Sequence, residues 1–395
     1  MKACAVSFKE CWQDGPGCWV SDGGFPLQMG ALASLFDSFD LLIVAVPPRG
    51  GGVPLPREAR VVPMARPRGE DLRRKVSVLT NLPYYVPLIA RYVRRADVIH
   101  VPLPGDIPLL AFFVGVALRK RVIARYGSSW ADTSQTTSMN RFTKACIRRL
   151  AGDRVLAFAT GASEPPARVR RIFATALSQA DMDRIQPDLD REPSSPPRLV
   201  YVGRLSPEKG VANLVIALGR IRQEGFQPVP TLMIIGDGPQ RNTLEALVSR
   251  CGCDDLVSFE GQLGRKDLSA RLQCADLCVQ PSLTEGFSKA WLDAMAHGVP
   301  VLASDVGAAR DVVGHRGERG WLTAPGDVDS LAIELRRALT EPRDWRRLRR
   351  CCREYAALHT LEEWRSCIAD ACSVQWGMLV VDGKLRAADG LSACR

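Results

Sequence analysis

The stretch Pro281–Pro300 decides the fold, and its sequence is PSLTEGFSKAWLDAMAHGVP. It follows a short apolar run at Leu277–Gln280, turns at Gly286, and then carries apolar residues at helical spacing. Glu285 stands just before the predicted helix, and Asp293 lies about two helical turns along it. The pattern therefore predicts a strand, a glycine turn and a helix, with two carboxylates close to the turn.

The same alternation continues on both sides of this stretch. In the second half it predicts strands and helices in turn, at Arg198–Gly203, Val211–Glu224, Thr231–Gly236, Gln240–Cys251, Leu256–Phe259, Arg265–Cys274, Phe287–His297 and Pro300–Ala303. The first half shows it more faintly, at Met1–Ser7, Phe25–Phe36, Leu41–Val46, Val98–Val101, Val122–Arg125 and Val155–Ala159. Short apolar strands alternating with longer helices indicate an α/β fold with parallel sheets, which bind ligands at the carboxyl ends of their strands.

The length of the chain and one proline-rich segment predict two domains. A chain of 395 residues is too long for one ordinary core, and the segment EPSSPP at 192–197 has the composition of a linker. We expect a first domain at 1–190, a linker at 191–197 and a second domain at 198–360. Residues 361–395 should form a C-terminal helix that crosses back to the first domain, followed by a tail.

Positive charge is concentrated in the first half of the chain. Residues 1–190 carry 26 Lys and Arg against 17 Asp and Glu, whereas residues 191–395 carry 27 against 26. This asymmetry indicates that the first half faces an anionic partner, such as a membrane surface, a diphosphate-bearing lipid or an acidic glycan. Nucleic acid is not expected, because basic and aromatic residues are not interleaved. The thirteen cysteines lack metal-ligand spacing, so we expect no metal site.

Two glycine-containing loops follow strands of the second half. In Gly203–Gly210, Arg204 and Lys209 place two cations at a strand end, a combination that suits a diphosphate. In the turn Gly236-Asp-Gly238-Pro, the glycines are expected to allow a ligand close to the backbone.

The turn before the helix of Pro281–Pro300 adds an anion site. The backbone N–H groups of Gly286, Phe287 and Ser288 are expected to point out of a helix N-terminus. Glu285 and Asp293 can then accept hydrogen bonds from sugar hydroxyls.

Together these motifs give a resemblance that covers about a third of the chain, from Leu199 to Leu331. In order they are GRLSPEKG at 203–210, GDGP at 236–239, the Ala275-Asp276 pair, EGFSKAWLD at 285–293 and SDVG at 304–307. This order resembles the C-terminal domain of the retaining GT-B glycosyltransferases of family 4 (glycosyl transferases group 1). The resemblance implies two Rossmann-like, doubly wound domains that face each other across a cleft.

The resemblance also implies the reaction and the roles of residues. It implies a UDP- or GDP-sugar donor, retention of anomeric configuration, and neither metal nor cofactor. Arg204 and Lys209 would neutralise the departing diphosphate, and Glu285 would contact the donor sugar. Asp293 would hold the nucleotide ribose, although the family pattern has Glu at this position.

In the first half the resemblance is thinner. Gly23 and Gly24 match a glycine-rich loop that lies near the donor phosphates and the acceptor in the family. Tyr126 stands where relatives often have a histidine. The acceptor-side candidates are His100, Tyr126, Ser128 and Trp130.

Two basic stretches suggest different roles. The stretch Arg336–Arg353 carries eight arginines and is interpreted as a solvated helix face. Arg57–Lys75, together with the amphipathic segment Tyr84–Ile89, fits a patch that faces an anionic membrane. We therefore expect a cytoplasmic enzyme, peripheral on the inner face of the membrane, that extends a lipid-linked glycan in cell-surface polysaccharide or lipopolysaccharide assembly.

Two alternatives remain open at this point. One is a soluble glycosyltransferase with a small-molecule acceptor, which the basic first half disfavours. The other is a catalytically silent protein that binds a nucleotide sugar, which the intact Arg204, Lys209 and Glu285 disfavour.

Overall fold

Two mainly parallel β-sheets, one in each half of the chain, organise the structure. The computed structural model describes residues 1–69, 71–132, 136–161, 166–341 and 343–387. The α/β fold class with two parallel sheets is confirmed.

The first sheet has nine strands within the described residues: β1 (Lys2–Gln13), β2 (Trp19–Ser21), β3 (Ser38–Ala45), β4 (Val53–Pro54), β5 (Ala59–Met64), β6 (Val98–Leu103), β7 (Arg121–Tyr126), β8 (Val155–Thr160) and β9 (Val169–Ile172). Its parallel part runs in the order β5-β3-β1-β6-β7-β8-β9, and β2 and β4 add an antiparallel edge. The accompanying helices are α1 (Phe25–Ala33), α2 (Asp71–Thr80), α3 (Leu82–Arg95), α4 (Asp106–Ala117), α5 (Ser138–Leu150) and α6 (Gln179–Arg184).

The second sheet has six parallel strands in the order β12-β11-β10-β13-β14-β15 in the described part of the chain. They are β10 (Arg198–Val202), β11 (Thr231–Ile235), β12 (Val257–Gly261), β13 (Leu277–Gln280), β14 (Val301–Ser304) and β15 (Gly320–Thr323). Between and after them come α7 (Val211–Gln223), α8 (Arg241–Arg250), α9 (Arg265–Cys274), α10 (Lys289–Ala296), α11 (Ala309–Val313) and α12 (Val328–Thr340). The central strands are mainly apolar because helices cover both faces of the sheet.

The last elements of the chain return from the second half to the first. Helix α13 (Trp345–Ala357) packs on the second half, whereas α14 (Leu361–Trp376), β16 (Met378–Val381) and β17 (Lys384–Ala387) pack on the first. Trp364 and Ile368 of α14 are buried in the same apolar cluster as Met29 and Leu32 of α1. The hairpin β16–β17 replaces the loose tail expected after Gly377, and Leu385 N–H donates to the carbonyl of Leu35 over 2.8 Å. The part of the expected tail at 388–395 lies outside the described residues.

The arginine-rich stretch before α14 is solvated only in part: Arg337, Arg346, Arg347 and Arg350 are exposed, as its composition suggests, but Arg349 and Arg353 are not. Arg349 is 1% exposed and donates to Asp276, which is fully buried. Asp276 also accepts from Arg191 Nη1 over 2.6 Å and from the backbone N–H of Arg198 over 2.9 Å. Arg353 donates to the carbonyl of Ala296 over 2.5 Å. These arginines therefore fasten α13 to the second sheet.

None of the helices within the described ranges combines the length and the hydropathy that crossing a bilayer requires.

Candidate active site

Two loops at the carboxyl edge of the second sheet bring the predicted catalytic residues together. Lys209 closes a short 3₁₀ turn at Pro207–Lys209, and its Nζ donates to Glu285 Oε2 over 2.5 Å. The side chains of Lys209 and Glu285 are 24% and 14% exposed, so the pair lies at a partly solvated surface. The loops are joined through the backbone as well, because Leu283 N–H donates to the carbonyl of Glu208 over 2.8 Å.

Arg204 lies in the same loop as Lys209, with its side chain exposed, and its charge acts on the neighbouring carboxylate of Glu208. Its carbonyl accepts a 2.9 Å hydrogen bond from the Tyr201 hydroxyl, which fixes the backbone of the loop. The guanidinium makes no hydrogen bond or ion pair with any residue that the structure describes. Arg204 is therefore free to bind an anion at the strand end.

The glycines of the two loops allow the loops to pack against each other and do not leave space for a ligand. A Cβ atom on Gly236 would lie 1.9 Å from the carbonyl oxygen of Gly203, and one on Gly238 would lie 2.4 Å from that of Leu205. Leu205 N–H donates to the carbonyl of Asp237 over 3.0 Å. The expectation that Gly236 and Gly238 leave room for a ligand is therefore wrong, because the neighbouring loop fills that space.

The helix after Glu285 begins later than its sequence predicts. Helix α10 starts at Lys289, and Ser288 is its N-cap residue, without a capping side-chain hydrogen bond. The N–H of Gly286 donates to the carboxylate of Glu285 over 3.2 Å. Phe287 is buried, and its ring packs 6.5 Å from that of Phe173. The prediction that the N–H groups of residues 286–288 point out of the helix N-terminus is therefore wrong, because the helix N-terminus lies at 288–290.

The Glu285–Gly286 peptide also forms a contact between the two halves. A Cβ atom on Gly161, which has φ of 77°, would lie 1.9 Å from the carbonyl oxygen of Gly286. From the other side, a Cβ atom on Gly307 would lie 2.2 Å from the carbonyl oxygen of Glu285. A side chain on Gly161 or Gly307 would displace the Glu285–Gly286 peptide. This peptide is therefore packed between Gly161 of the first half and Gly307 of the second.

Asp293 lies one turn into α10 and lines a cavity of about 400 Å³. The cavity is also bordered by Arg265, Lys266 and His297. Burial raises the pKa of the Asp293 carboxyl, and Arg265 opposes this effect. The Asp293 side chain has no hydrogen-bond partner in the described ranges, which leaves its oxygens available to a ligand.

The acceptor-side candidates of the first half divide into interior and cleft residues. His100 is 1% exposed in β6, and burial, followed by the charge of Arg125, lowers its pKa well below 6.5. Tyr126 is fully buried and packs edge-to-face against Trp130, with 5.3 Å between ring centroids. Tyr126 and Trp130 as cleft residues are therefore wrong, because both belong to the apolar core of the first half. His100 stays a prediction, since both of its ring nitrogens lack a hydrogen-bond partner among the described residues.

Ser128 and Gly24 do lie at the junction of the halves. The carbonyl carbon of Ser128 would lie 3.1 Å from a Cβ atom placed on Gly286. Gly24 is the N-cap of α1, and a Cβ atom there would meet Lys289 Nζ at 3.0 Å. Gly23 precedes it with φ of 70° and open space around it.

Sequence reasoning missed Lys289 and Arg125. Lys289 lies within the motif EGFSKAWLD, and Arg125 ends a predicted strand. Lys289 reaches Gly24 across the junction, and Arg125 is 8% exposed at the end of β7. The only sequence signal for Lys289 was a lysine inside an otherwise apolar helix start.

Comparisons with known proteins agree with this geometry. The family described as "Glycosyl transferases group 1" matches residues 184–359. The chain is 29% identical over 273 residues to a 2-deoxystreptamine glucosyltransferase of Streptomyces kanamyceticus, an alignment that covers 62% of this chain and 69% of the relative. It is 40% identical over 142 residues to an MMP alpha-(1->4)-mannosyltransferase of Mycolicibacterium hassiacum, covering 36% of this chain and 34% of the relative. The chain thus spans only about a third of the second relative's length.

The fold is similar to that of a solved sucrose-phosphate synthase from Thermosynechococcus elongatus. The TM-score is 0.70 at 22% sequence identity, and the superposition covers 95% of this chain and 99% of the other. The likeness therefore extends over both sheets and not only over the second half.

Proposed function

The chain belongs to the glycosyl transferases group 1 family of retaining GT-B enzymes that use nucleotide sugars, and we propose that its two halves divide the reaction between them. In this proposal the second domain, 198–360, holds the donor and the first domain, 1–190, holds the acceptor. Residues 191–197 link the two domains, and α14 with the residues after it returns to the first.

The observation that carries the proposal is the hydrogen bond from Lys209 to Glu285. Arg204 lies in the same loop as Lys209, and its guanidinium forms no hydrogen bond or ion pair with a described residue. Breaking a sugar–diphosphate bond builds negative charge on the leaving group. Preorganised cations are worth most where charge develops in this way. Arg204 and Lys209 would bind the departing diphosphate, and Lys209 would exchange its contact with Glu285 for a phosphate oxygen. Glu285 would then face the donor sugar.

The remaining donor contacts follow along α10. Asp293, with two free carboxylate oxygens over the cavity, would accept hydrogen bonds from the ribose hydroxyls. The N–H groups at Ser288 and Lys289 would face the diphosphate at the positive end of the helix dipole. No step in this proposal is assigned to a metal ion.

For the acceptor we propose a glycan attached to a lipid at the inner face of an anionic membrane. Support comes from α2 and the start of α3, where apolar Val76, Leu79 and Tyr84 are 51%, 63% and 43% exposed. Exposed cations accompany them at Arg73, Lys75, Arg91, Arg94 and Arg95. Exposed apolar side chains flanked by cations suit an anionic lipid surface. Assembly of a cell-surface polysaccharide or lipopolysaccharide would supply such an acceptor.

A second candidate is transfer to an acceptor that is not attached to a lipid. It is favoured by the relative from Streptomyces kanamyceticus, whose name gives 2-deoxystreptamine as the substrate.

The donor site is tested by calorimetric titration with UDP and GDP in the presence of EDTA. We expect one nucleotide to bind and Lys209→Ala to weaken its binding at least tenfold, because a charged hydrogen bond to phosphate is lost. If the purified protein bound neither nucleotide, the donor assignment would be wrong.

The acceptor surface is tested by sedimentation with vesicles of anionic or neutral lipid. We expect binding to anionic vesicles only, and a loss of binding in Leu79→Ser. Ile333→Ser is the matched control, because Ile333 is 60% exposed on α12 in the second half. Equal loss in both variants, or no vesicle binding, would favour the acceptor that is not attached to a lipid.

A further inference from the structure

Two cations without acidic partners face each other across the junction of the halves. Arg125, at the end of β7, is 8% exposed, and its Nε has no hydrogen-bond partner. Its guanidinium lies 5.7 Å from the ring centroid of Trp364 but makes no hydrogen bond or ion pair with any described residue. A nearly buried guanidinium without a hydrogen-bonding partner is costly unless a ligand supplies one.

Lys289 approaches the same place from the second half. It is the first residue of α10, and its Nζ would lie 3.0 Å from a Cβ atom on Gly24. Like Arg125, it forms no hydrogen bond or ion pair within the described ranges. The absence of a side chain at Gly24 is what lets the lysine reach the first half.

The charged groups around Lys289 do not compensate it. They are Arg125 on β7, Lys9 on β1, Arg265 on α9 and Asp293 one turn along its own helix. Burial, followed by the charge of Arg125, lowers the pKa of Lys289 to about 8. Burial also lowers the pKa of Arg125 to about 10. The site therefore carries excess positive charge in a poorly solvated place.

The N-terminus of α1 points to the same junction. Its N-cap is Gly24, which has no side chain to satisfy the first N–H groups of the helix. Helix N-termini attract anions through these free N–H groups and through the helix dipole. Lys289 thus lies against a helix end of matching charge, and Arg125 is the cation that acts on this lysine most strongly.

We propose that Arg125, Lys289 and the N-terminus of α1 form a phosphate-binding site that bridges the two halves, in addition to Arg204 and Lys209. The phosphate belongs either to the donor diphosphate or to a phosphorylated acceptor, and both would be bound by the same charged hydrogen bonds. This inference rests on the proposed division of donor and acceptor between the halves. A phosphate bound here joins residues of both halves, so its binding fastens the junction.

The test compares nucleotide and inorganic phosphate binding in four variants. Lys289→Met and Arg125→Gln remove the cations, Lys289→Arg keeps the charge, and Arg250→Leu removes an exposed charge at the end of α8 as a control. Each protein is titrated with UDP, with GDP and with inorganic phosphate, both free and saturated with nucleotide. Thermal unfolding confirms that each variant is folded.

Two outcomes support the site and distinguish the source of the phosphate. If the donor supplies it, Lys289→Met binds the preferred nucleotide at least tenfold more weakly, whereas Lys289→Arg and Arg250→Leu stay within twofold of wild type. If the acceptor supplies it, nucleotide binding is unchanged, and inorganic phosphate binds the nucleotide-saturated wild type but not Lys289→Met or Arg125→Gln.

The outcome that overturns the inference is also distinct from failure of the donor assignment. Unchanged nucleotide binding in all variants, with no phosphate binding that depends on Lys289 or Arg125, would refute the bridging site while the donor site stands. If wild type bound neither UDP nor GDP, the donor assignment would fail, and the titration of the free protein with phosphate would still decide whether this site binds an anion.

Discussion

Replacing Lys289 by Met is expected to stabilise the free protein while it weakens binding. Burial and the charge of Arg125 lower the pKa of Lys289 from 10.5 to about 8. A shift of this size corresponds to about 3 kcal/mol between the charged and neutral forms. Because a minor part of the Lys289 side chain stays exposed, solvent screens some of this cost. We expect Lys289→Met to raise the free energy of unfolding by about 1–2 kcal/mol at pH 7.

The pH dependence gives the sign of this effect. A lysine whose folded pKa is lowered costs stability below pH 8, where it is charged in both states. The cost disappears as pH rises from about 8 to 10.5, because only the unfolded chain then keeps the proton. The advantage of Lys289→Met should therefore shrink over that range. Of the groups that face this lysine, Arg125 has a pKa that burial lowers to about 10, so it begins to lose its charge at the upper end of the range; the others are Lys9, Arg265 and Asp293.

The assay is thermal unfolding of the ligand-free protein at pH 7, 8 and 9.5 and constant ionic strength. Lys289→Arg serves as the control, because it keeps the charge and should show no gain. A Lys289→Met protein that melts below wild type at pH 7 would refute the reasoning. So would a gain that increases with pH, since hydrophobic packing rather than charge would then be its cause.

Three further substitutions test other parts of the structure. Arg204→Ala should lower kcat about a hundredfold while thermal unfolding stays unchanged, because the exposed guanidinium acts only on the leaving diphosphate; near-normal turnover would contradict this role. Asp276→Asn should lower the free energy of unfolding by about 3 kcal/mol, since it leaves the buried Arg349 without its carboxylate. If denaturant titration gave a free energy of unfolding within about 1 kcal/mol of wild type, which is the limit for an exposed ion pair, this ion pair would be dispensable. Gly161→Ala should abolish turnover, because its Cβ would displace the carbonyl of Gly286; an active variant would mean that the junction can open at that point.

The second half was predictable from sequence because its signals are local. Strands such as β13 and β14 are mostly apolar runs that the sheet buries on both faces, and the helices follow glycines or polar turns. The start of α10 was predicted two residues too early. Phe287 looks helical in sequence, but its ring packs against Phe173 of the first half, and the backbone is still extended at Ser288.

The first half was less predictable because its site depends on which side chains are buried and which form hydrogen bonds. Tyr126 ends a strand in a motif that resembles a catalytic loop, yet it is fully buried against Trp130. Arg125, its neighbour in sequence, lies on the opposite face of the sheet and lacks a partner. The sequence shows that successive side chains of a strand lie on opposite faces of the sheet. It does not show which of the two faces lies towards the second half.

The arrangement of charge on α10 supports a single ligand that contacts several of these residues. Lys289 and Asp293 are four residues apart on one helix, a spacing at which opposite charges commonly pair. Here the described structure contains no ion pair between them. The lysine instead reaches towards Gly24, and the carboxylate lines the cavity beside Arg265. A nucleotide sugar carries phosphate, which Lys289 can bind, and ribose hydroxyls, which Asp293 can bind. One helical turn can span the distance between these two parts of the ligand. If the donor supplies the phosphate, a nucleotide sugar lying along α10 with its diphosphate towards the junction of the halves accounts for both unpaired charges.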